Sequence, residues 1–197
     1  MPIQFITPSI ISSVANTQVT GTITASQIAA VNANTITSGS IPLAQVPQLS
    51  VAKMPAGSVL QVVQTVLQTS TTTTSTSFVT TGLSASITPK FSTSKIWVSI
   101  AANGVRTDNT TYNVDLALFR GASQQGNDFT WFGGSGGGAK DGRLGTVCFQ
   151  LLDSPATTSA TTYALYFASE SGASTSYICD QNVSVCPSYI TLMEIAA

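Results

Sequence analysis

The first 52 residues place their apolar and small polar positions at a spacing that fits neither a helix nor a strand. Isoleucine and valine recur there at intervals of four or five, with one interval of eight, among threonine, serine, alanine and asparagine. A half-buried strand repeats about every two residues and a helix about every 3.6. The pattern therefore predicts short extended pieces separated by turns. Its apolar positions are Val14, Val19, Ile23, Ile28, Ile36, Ile41 and Val46.

The same segment contains no charged side chain from Met1 through Ala52. It lacks the charge that keeps a disordered tail solvated, and it lacks the apolar run of about 18 residues that a membrane helix needs. Ordering about fifty residues alone costs on the order of 50–100 kcal/mol of conformational free energy. We therefore interpret residues 1–56 as an extended, uncharged arm that is ordered against other protein and wound around identical copies. A flexible tail is the alternative interpretation.

The pattern changes at Lys53–Gly57, where Pro55 and Gly57 interrupt the chain, and residues 57–197 have a different character. Segments rich in valine, isoleucine, threonine, tyrosine and phenylalanine follow one another with turn signals between them and no helical pattern. This succession predicts an all-β head, an antiparallel β-sandwich that is jelly-roll-like. The predicted strands are Ser58–Gln68, Ser77–Ile87, Lys95–Asn103, Tyr112–Arg120, Gly145–Asp153, Thr161–Ser169, Ser174–Cys179 and Ser188–Ile195.

The last predicted strand alternates clearly between two faces. One face carries Tyr189, Thr191, Met193 and Ile195, and the other carries Ile190, Leu192 and Glu194. The hydroxyl-rich tract Thr69–Ser77 is predicted to bridge the first two strands or to extend them as an edge.

The region Gly121–Gly145 is the longest stretch of the head without a strong strand pattern, and we predict a loop there. Long loops on a rigid scaffold often carry binding residues, and aromatic rings beside acidic and basic groups suit a sugar ligand. In the alternative interpretation Trp131 and Phe132 pack beneath the loop or at a subunit interface. The candidate ligand-binding residues are Asp128, Trp131, Phe132, Lys140, Asp141 and Arg143.

The composition excludes several function classes. The 197 residues include no histidine, which removes Ser-His-Asp and Cys-His catalysis and the commonest metal ligand. The net charge of −1, with seven scattered basic residues, argues against a nucleic-acid partner. The glycine-rich segment Gly134–Ala139 formally fits a dinucleotide fingerprint, but no helix is predicted after it, so we interpret it as a loop. We predict no cofactor, no metal, no membrane partner and no catalytic residue.

The three cysteines, Cys148, Cys179 and Cys186, lack the paired spacing of a zinc site. Free cysteine usually packs as a small apolar side chain, so we predict three buried free thiols. A disulfide between Cys179 and Cys186 is the alternative. The start of the chain, Met1–Phe5, has neither a basic region nor a cleavage site, so we predict retention in a cytosol before assembly.

One segment of the arm and seven segments of the head carry a resemblance to a known family. They are Ile36–Pro42, Gly57–Gln64, Ser77–Leu83, Ile87–Pro89, Ser94–Val98, Leu118–Gly121, Leu152–Pro155 and Ile190–Ile195. The arm segment resembles the low-charge connector of trimeric phage fibres and spikes. The head segments resemble the distal β-sandwich head of tail fibres and tailspikes, which is also used in capsid cement or decoration proteins.

The resemblance implies a homotrimeric, structural, non-enzymatic protein of the virion surface, assembled in the host cytoplasm, in which residues 1–56 are the arm for trimerisation and attachment. A capsid decoration (cement) protein would bind the major capsid protein, stabilise the shell and display heads that contact host surface glycans. The alternative is a short tail-fibre or receptor-binding tip bound to a tail adaptor, and a polysaccharide depolymerase ranks third. We rank cement first because the arm is short for a stalk that must reach a host.

Overall fold

The computed structural model describes residues 51–109, 111–131, 145–180 and 186–197, with side chains omitted for 127–131. The described residues belong to one compact unit, Leu49–Ala197. The apolar positions predicted for the arm, from Val14 to Val46, lie outside the described residues. The prediction of an extended trimerisation arm therefore stays a prediction.

Ten β-strands and one short 3-10 helix, Val51–Lys53, make up the regular structure of the described residues. The alternation of β-branched and aromatic residues with polar ones favours strands that are buried on one side. The strands are β1 Val59–Leu67, β2 Thr71–Thr73, β3 Val79–Ile87, β4 Lys95–Thr107, β5 Val114–Arg120, β6 Ser123–Trp131, β7 Gly145–Asp153, β8 Thr161–Ser169, β9 Ser176–Ile178 and β10 Ser188–Ile195.

The strands form two antiparallel sheets. The first has the order β1-β10-β4-β9-β2, and β7 pairs with the opposite edge of β4 from β10. The second has the order β3-β8-β5-β6. The predicted all-β, antiparallel, two-sheet sandwich is confirmed.

The core lies between the two sheets and is filled by alternate residues of each strand. In the first sheet Ile96, Val98 and Ile100 of β4 are buried, and in the second Leu116 of β5 and Leu165 of β8 are fully buried. Strand β10 follows the predicted alternation, with Ile190, Leu192 and Glu194 buried and the residues between them more exposed. Truncating one of these large core side chains to alanine costs about 2–5 kcal/mol, so this layer holds the sheets together.

A bulge in β4 redirects the end of that strand. The register shifts between Asn103 and Val105, and the intervening Gly104 has a φ of +63°. A bulge of this kind places an extra residue in one strand and bends it, so that Ala102 and Val105 are both buried. Beyond the bulge, Arg106 and Thr107 pair with β9.

Most predicted strands agree with the structure, and two observed strands were missed. The bounds predicted for β7, β8 and β10 are those observed. The prediction of a loop throughout Gly121–Gly145 is wrong for Ser123–Trp131, which is strand β6. Its polar sequence has little intrinsic strand preference, and pairing with β5 holds it at the edge of the sheet. The Thr69–Ser77 tract contains the short strand β2, which pairs with β9.

The prediction of three buried thiols is wrong for two of them. All three cysteines are free, but only Cys179 is buried; Cys186 is half-buried and Cys148 is exposed. Val147, Phe149 and Leu151 of β7 pack on the core, so the alternation of the strand directs Cys148 outward. The Cys179 thiol instead donates to the carbonyl of Cys186, at 2.9 Å.

Candidate functional site

All six residues predicted to bind a sugar lie outside the part of the chain whose side chains the structure describes. Strand β6 contains the backbone of Asp128 and Trp131, and Trp131 is paired with Val114 of β5. Phe132, Lys140, Asp141 and Arg143 lie outside the described residues. The sugar-binding hypothesis therefore stays a prediction.

One polar cluster joins the two sheets at the end of β7. The Tyr163 hydroxyl of β8 donates to Asp153 Oδ2 at 2.6 Å, and Arg120 Nη1 of β5 donates to the same oxygen at 2.7 Å. Burial, followed by the neighbouring Asp153 carboxylate, raises the pKa of Tyr163 above its ordinary value. The tyrosine thus stays protonated and serves as a donor, which is a structural role rather than that of a proton acceptor.

A second cluster fixes the end of β4 against β9. Arg106 forms an ion pair with Asp180 through Nε, and its guanidinium lies 3.7 Å from the centroid of the Tyr177 ring. Asp180 is 3% exposed, and its backbone N–H donates to the Gly104 carbonyl. The ion pair with Arg106, which also stacks on Tyr177, compensates the buried Asp180 carboxylate for its lost hydration.

A third acidic group, Glu194, is buried without an ion pair among the described residues. Its carboxylate accepts hydrogen bonds from Gln61 Nε2 at 2.6 Å, from the Lys90 N–H at 2.7 Å and from the Phe91 N–H at 3.4 Å. Burial raises the pKa of Glu194, but hydrogen bonds from its neighbours outweigh burial and hold the pKa below the ordinary value. The Glu194 carboxylate of β10 thus links the segment that follows β3, through Lys90 and Phe91, to Gln61 of β1.

Within the described ranges, no group of three or more cysteine or acidic side chains is placed to hold a metal ion. The same part of the chain contains no helix long and apolar enough to cross a membrane.

The most unusual surface of the described residues is the outer face of the first sheet. Strand pairing aligns its outward side chains in three straight rows that each cross β1, β10, β4 and β7. We name them the Trp97 row, the polar row and the Ala101 row. The Trp97 row is Val62, Met193, Trp97 and Leu152; the polar row is Gln64, Thr191, Ser99 and Gln150; the Ala101 row is Val66, Tyr189, Ala101 and Cys148.

None of these twelve positions carries a charge, and several apolar ones are open to solvent. The exposed fractions are 56% for Val62, 46% for Leu152, 43% for Val66 and 37% for Tyr189. In the polar row, Gln64 Nε2 donates to Thr191 Oγ1 at 2.9 Å. Two apolar rows that flank an uncharged polar one form a contiguous patch of the kind that marks a protein contact.

The outer face of the second sheet differs. There Phe119 packs on Tyr166 with ring centroids 4.3 Å apart and on the edge of Phe78 at 6.0 Å, so its large aromatic side chains cover one another. Hydroxyl groups, such as those of Ser86 and Thr162 at 2.7 Å, occupy other positions. Among the side chains that the structure describes, the open apolar surface therefore lies on the first sheet.

Sequence reasoning missed this face because both sides of its strands are largely apolar. The alternation in β10 separated Tyr189 and Met193 from Ile190 and Leu192, but it did not tell which set faces the core. Glu194 and its alternate-position neighbours Ile190 and Leu192 can be assigned to the core face only once the partner strands of β10 are known. Comparison with protein-family models and with curated proteins found no match to this chain.

Proposed function

We propose that this protein is a structural component of a phage virion, a homotrimeric capsid decoration or cement protein. Residues 1–56 attach it to the shell, the major capsid protein is its partner, and its location is the virion surface after assembly in the host cytoplasm. In this proposal the β-sandwich head projects outward and contacts host surface glycans through Asp128, Trp131, Phe132, Lys140, Asp141 and Arg143.

The observation that carries the proposal is the set of three uncharged rows on the outer face of the first sheet, with Val62 and Leu152 exposed. An apolar patch of this kind favours contact with protein, because burial removes apolar surface from water at about 25 cal/mol per Å² without desolvating charges. The absence of charge between residues 1 and 52 extends the same property beyond the described residues. Both features suit a protein whose role is assembly.

The strand order supports a jelly-roll-like assignment. The orders β1-β10-β4-β7 and β3-β8-β5-β6, with most connections crossing from one sheet to the other, correspond to this architecture. Jelly rolls occur in viral capsid domains, but also in lectins and cupins. The fold is therefore compatible with a capsid protein but does not distinguish it from these other functions.

The number of copies on purified particles tests the proposal. A decoration protein is expected in hundreds of copies spread over the shell, measured from stained-gel density ratios against the major capsid protein. A few dozen copies at one vertex would instead favour the tail-fibre alternative, and absence from the particles would exclude both.

A further inference from the structure

Two of the three free cysteines approach each other where several strands of the first sheet end. Cys179 follows β9 and Cys186 precedes β10. The Cys179 thiol lies 2.9 Å from the carbonyl oxygen of Cys186 and 3.2 Å from that of Leu67, the last residue of β1. Bond lengths then limit the separation of the two cysteine α-carbons to about 8 Å. This limit includes the separations of about 4.4–6.8 Å at which disulfides form.

The bulge of β4 holds both cysteines in place. The Asn103 carbonyl accepts hydrogen bonds from the Cys179 N–H at 2.9 Å and from Ser188 Oγ at 3.2 Å. The side-chain amide of Asn103 also donates to the Pro187 carbonyl. Cys179 has a φ of +54°, which is uncommon for a residue other than glycine and persists only where surrounding contacts impose it. The residues that end β9 and begin β10 are therefore fixed to the same point of β4.

The environments of the two thiols differ. Burial raises the pKa of the Cys179 thiol, and a negative charge on Cys186 raises it further, against a hydrogen bond from the Ser188 backbone. The electrostatic effect of one thiolate on the other is a second sign that the two groups are close. Cys179 is fully buried, whereas Cys186 is half-buried. Cys186 is therefore the thiol that a dissolved oxidant reaches first.

The third cysteine is not placed to join this pair. Cys148 lies on β7 opposite Ala101, and β7 pairs with the opposite edge of β4 from β10. The strands β7 and β10 are therefore two strand spacings, or roughly 10 Å, apart. That separation exceeds the distance that a disulfide spans between α-carbons, so a bond from Cys148 to Cys186 within one chain is excluded.

We propose that Cys179 and Cys186 form a reversible disulfide, which fixes the end of β9 to the residue before β10, when the protein meets a disulfide oxidant such as oxidised glutathione. In the structure both are free thiols, which is the reduced state of this redox switch. The switch goes beyond the proposed function, and only its timing rests on that function. Thiols stay reduced in a cytosol and are oxidised outside it, so the bond forms after particles leave the host cell.

The oxidation takes place in two thiol–disulfide exchanges. The Cys186 thiolate attacks one sulfur atom of oxidised glutathione, which forms a mixed disulfide and releases one glutathione thiolate. The sulfur of Cys179 then attacks the sulfur of Cys186 and releases the second glutathione thiolate. The protons of the two cysteines pass to the two released thiolates. The protein thus loses two hydrogen atoms, and one oxidised glutathione becomes two reduced molecules.

A glutathione redox buffer tests the switch in the full chain. In a Cys148→Ser background the reduced protein takes up two alkyl groups and the disulfide takes up none, so the intact mass after alkylation gives the ratio of the two forms. The fold already holds the cysteines together, so the equilibrium constant for the internal disulfide should be higher in the native chain than in urea. By linkage the disulfide raises the folding equilibrium constant by the same factor.

The expected factor follows from the length of the ring. Cys179 through Cys186 span eight residues, and closing such a ring in the unfolded chain favours folding by a factor of roughly 50. An equilibrium constant that is equal or smaller in the native chain would overturn the proposal, because the ring would then close only through the short distance along the chain.

Single variants in the same background test the order of the exchanges. Cys179→Ser leaves the half-buried thiol, and Cys186→Ser leaves the buried one. The first variant should form a mixed disulfide with glutathione at least about tenfold faster than the second, because exchange depends on access to the thiol. An equal or reversed order would overturn the assignment of Cys186 as the residue that the oxidant meets.

Asn103→Ala tests the part assigned to the bulge. It removes the amide that donates to Pro187, so it should lower the native equilibrium constant severalfold and leave the value in urea unchanged. Thr162→Ala, on the outer face of the second sheet, is the control and should change neither value. An unchanged native value in Asn103→Ala would overturn the argument that the bulge holds the pair in place.

The outcomes separate the switch from the proposed function. Hundreds of copies per particle, with no preference of the native chain for the disulfide, would overturn the switch and leave the proposed function in place. A clear native preference in a chain that is absent from particles would support the switch and contradict the timing given to it.

Discussion

Replacing Glu194 with alanine is expected to lower the free energy of unfolding by about 2–3 kcal/mol. The residue is fully buried, and its removal takes the acceptor of the Lys90 and Phe91 N–H groups and one acceptor of Gln61 Nε2, which still donates to the Thr88 carbonyl. A fully buried donor without a partner costs about 1–3 kcal/mol, and each of these donors costs less because Lys90 is exposed and Gln61 and Phe91 are half-buried, so that water replaces part of the lost bond. Denaturant unfolding of the variant and the parent chain measures the difference.

The matched control is Glu170→Ala. Glu170 is an exposed acid that accepts one hydrogen bond, from the Asn113 N–H at 2.8 Å, so its loss should cost less than about 1 kcal/mol. Equal losses for the two variants would show that the buried carboxylate does not anchor the segment after β3.

The stabilisation by Glu194 also depends on pH. Its pKa in the folded chain is below the ordinary value of 4.5, so the unfolded chain binds the proton more tightly. The contribution is therefore complete above that ordinary value and is lost as the pH falls through the folded pKa. The difference in stability between the parent chain and Glu194→Gln should shrink between pH 7 and pH 3, and a constant difference would contradict this assignment.

Replacing Gly104 with alanine is expected to cost about 3–5 kcal/mol, from backbone strain and overpacking together. The residue has a φ of +63°, and an added Cβ would lie 2.6 Å from the backbone nitrogen of Asp180. That nitrogen cannot withdraw easily, because it donates to the Gly104 carbonyl while the Cys179 N–H donates to Asn103. The change would therefore disturb the bulge of β4 and the Arg106–Asp180 ion pair.

The Gly121→Ala variant separates the cost of backbone strain from the cost of the close Cβ contact. Gly121 has a similar φ of +57°, but a Cβ there would meet nothing within 4 Å. Its cost should be about 1–2 kcal/mol, the strain alone. Thermal or denaturant unfolding of both variants compares them, and an equal loss at the two positions would contradict the steric argument.

Alternation predicted most of the fold, and tertiary pairing determined the rest. The bounds of β8 and β10 followed from runs of β-branched and aromatic residues that end at turn signals, and burial then alternates along each strand. Strand β6 has glutamine, glycine and asparagine in its first half, and its Gly126 has a φ of +76°, so its conformation depends on β5 rather than on local preference. No local pattern could have shown that partner.

The outer face of the first sheet could be predicted only in part. Its residues come from β1, β4, β7 and β10, which are up to about 130 positions apart in the chain, and the register between them is not local information. The alternation of β7 places Cys148 on the outer face. The prediction of a buried thiol followed instead the general preference of cysteine for the interior, and it was wrong.

Self-association of the full chain through uncharged surfaces is tested most directly by its sedimentation mass at about 50 mM and at about 500 mM salt. The expected result is a multiple of the 20.3 kDa chain mass at both salt concentrations, because burial of apolar surface is little affected by screening. A 20.3 kDa species throughout, or dissociation to that mass at the higher salt, would contradict assembly by apolar contacts.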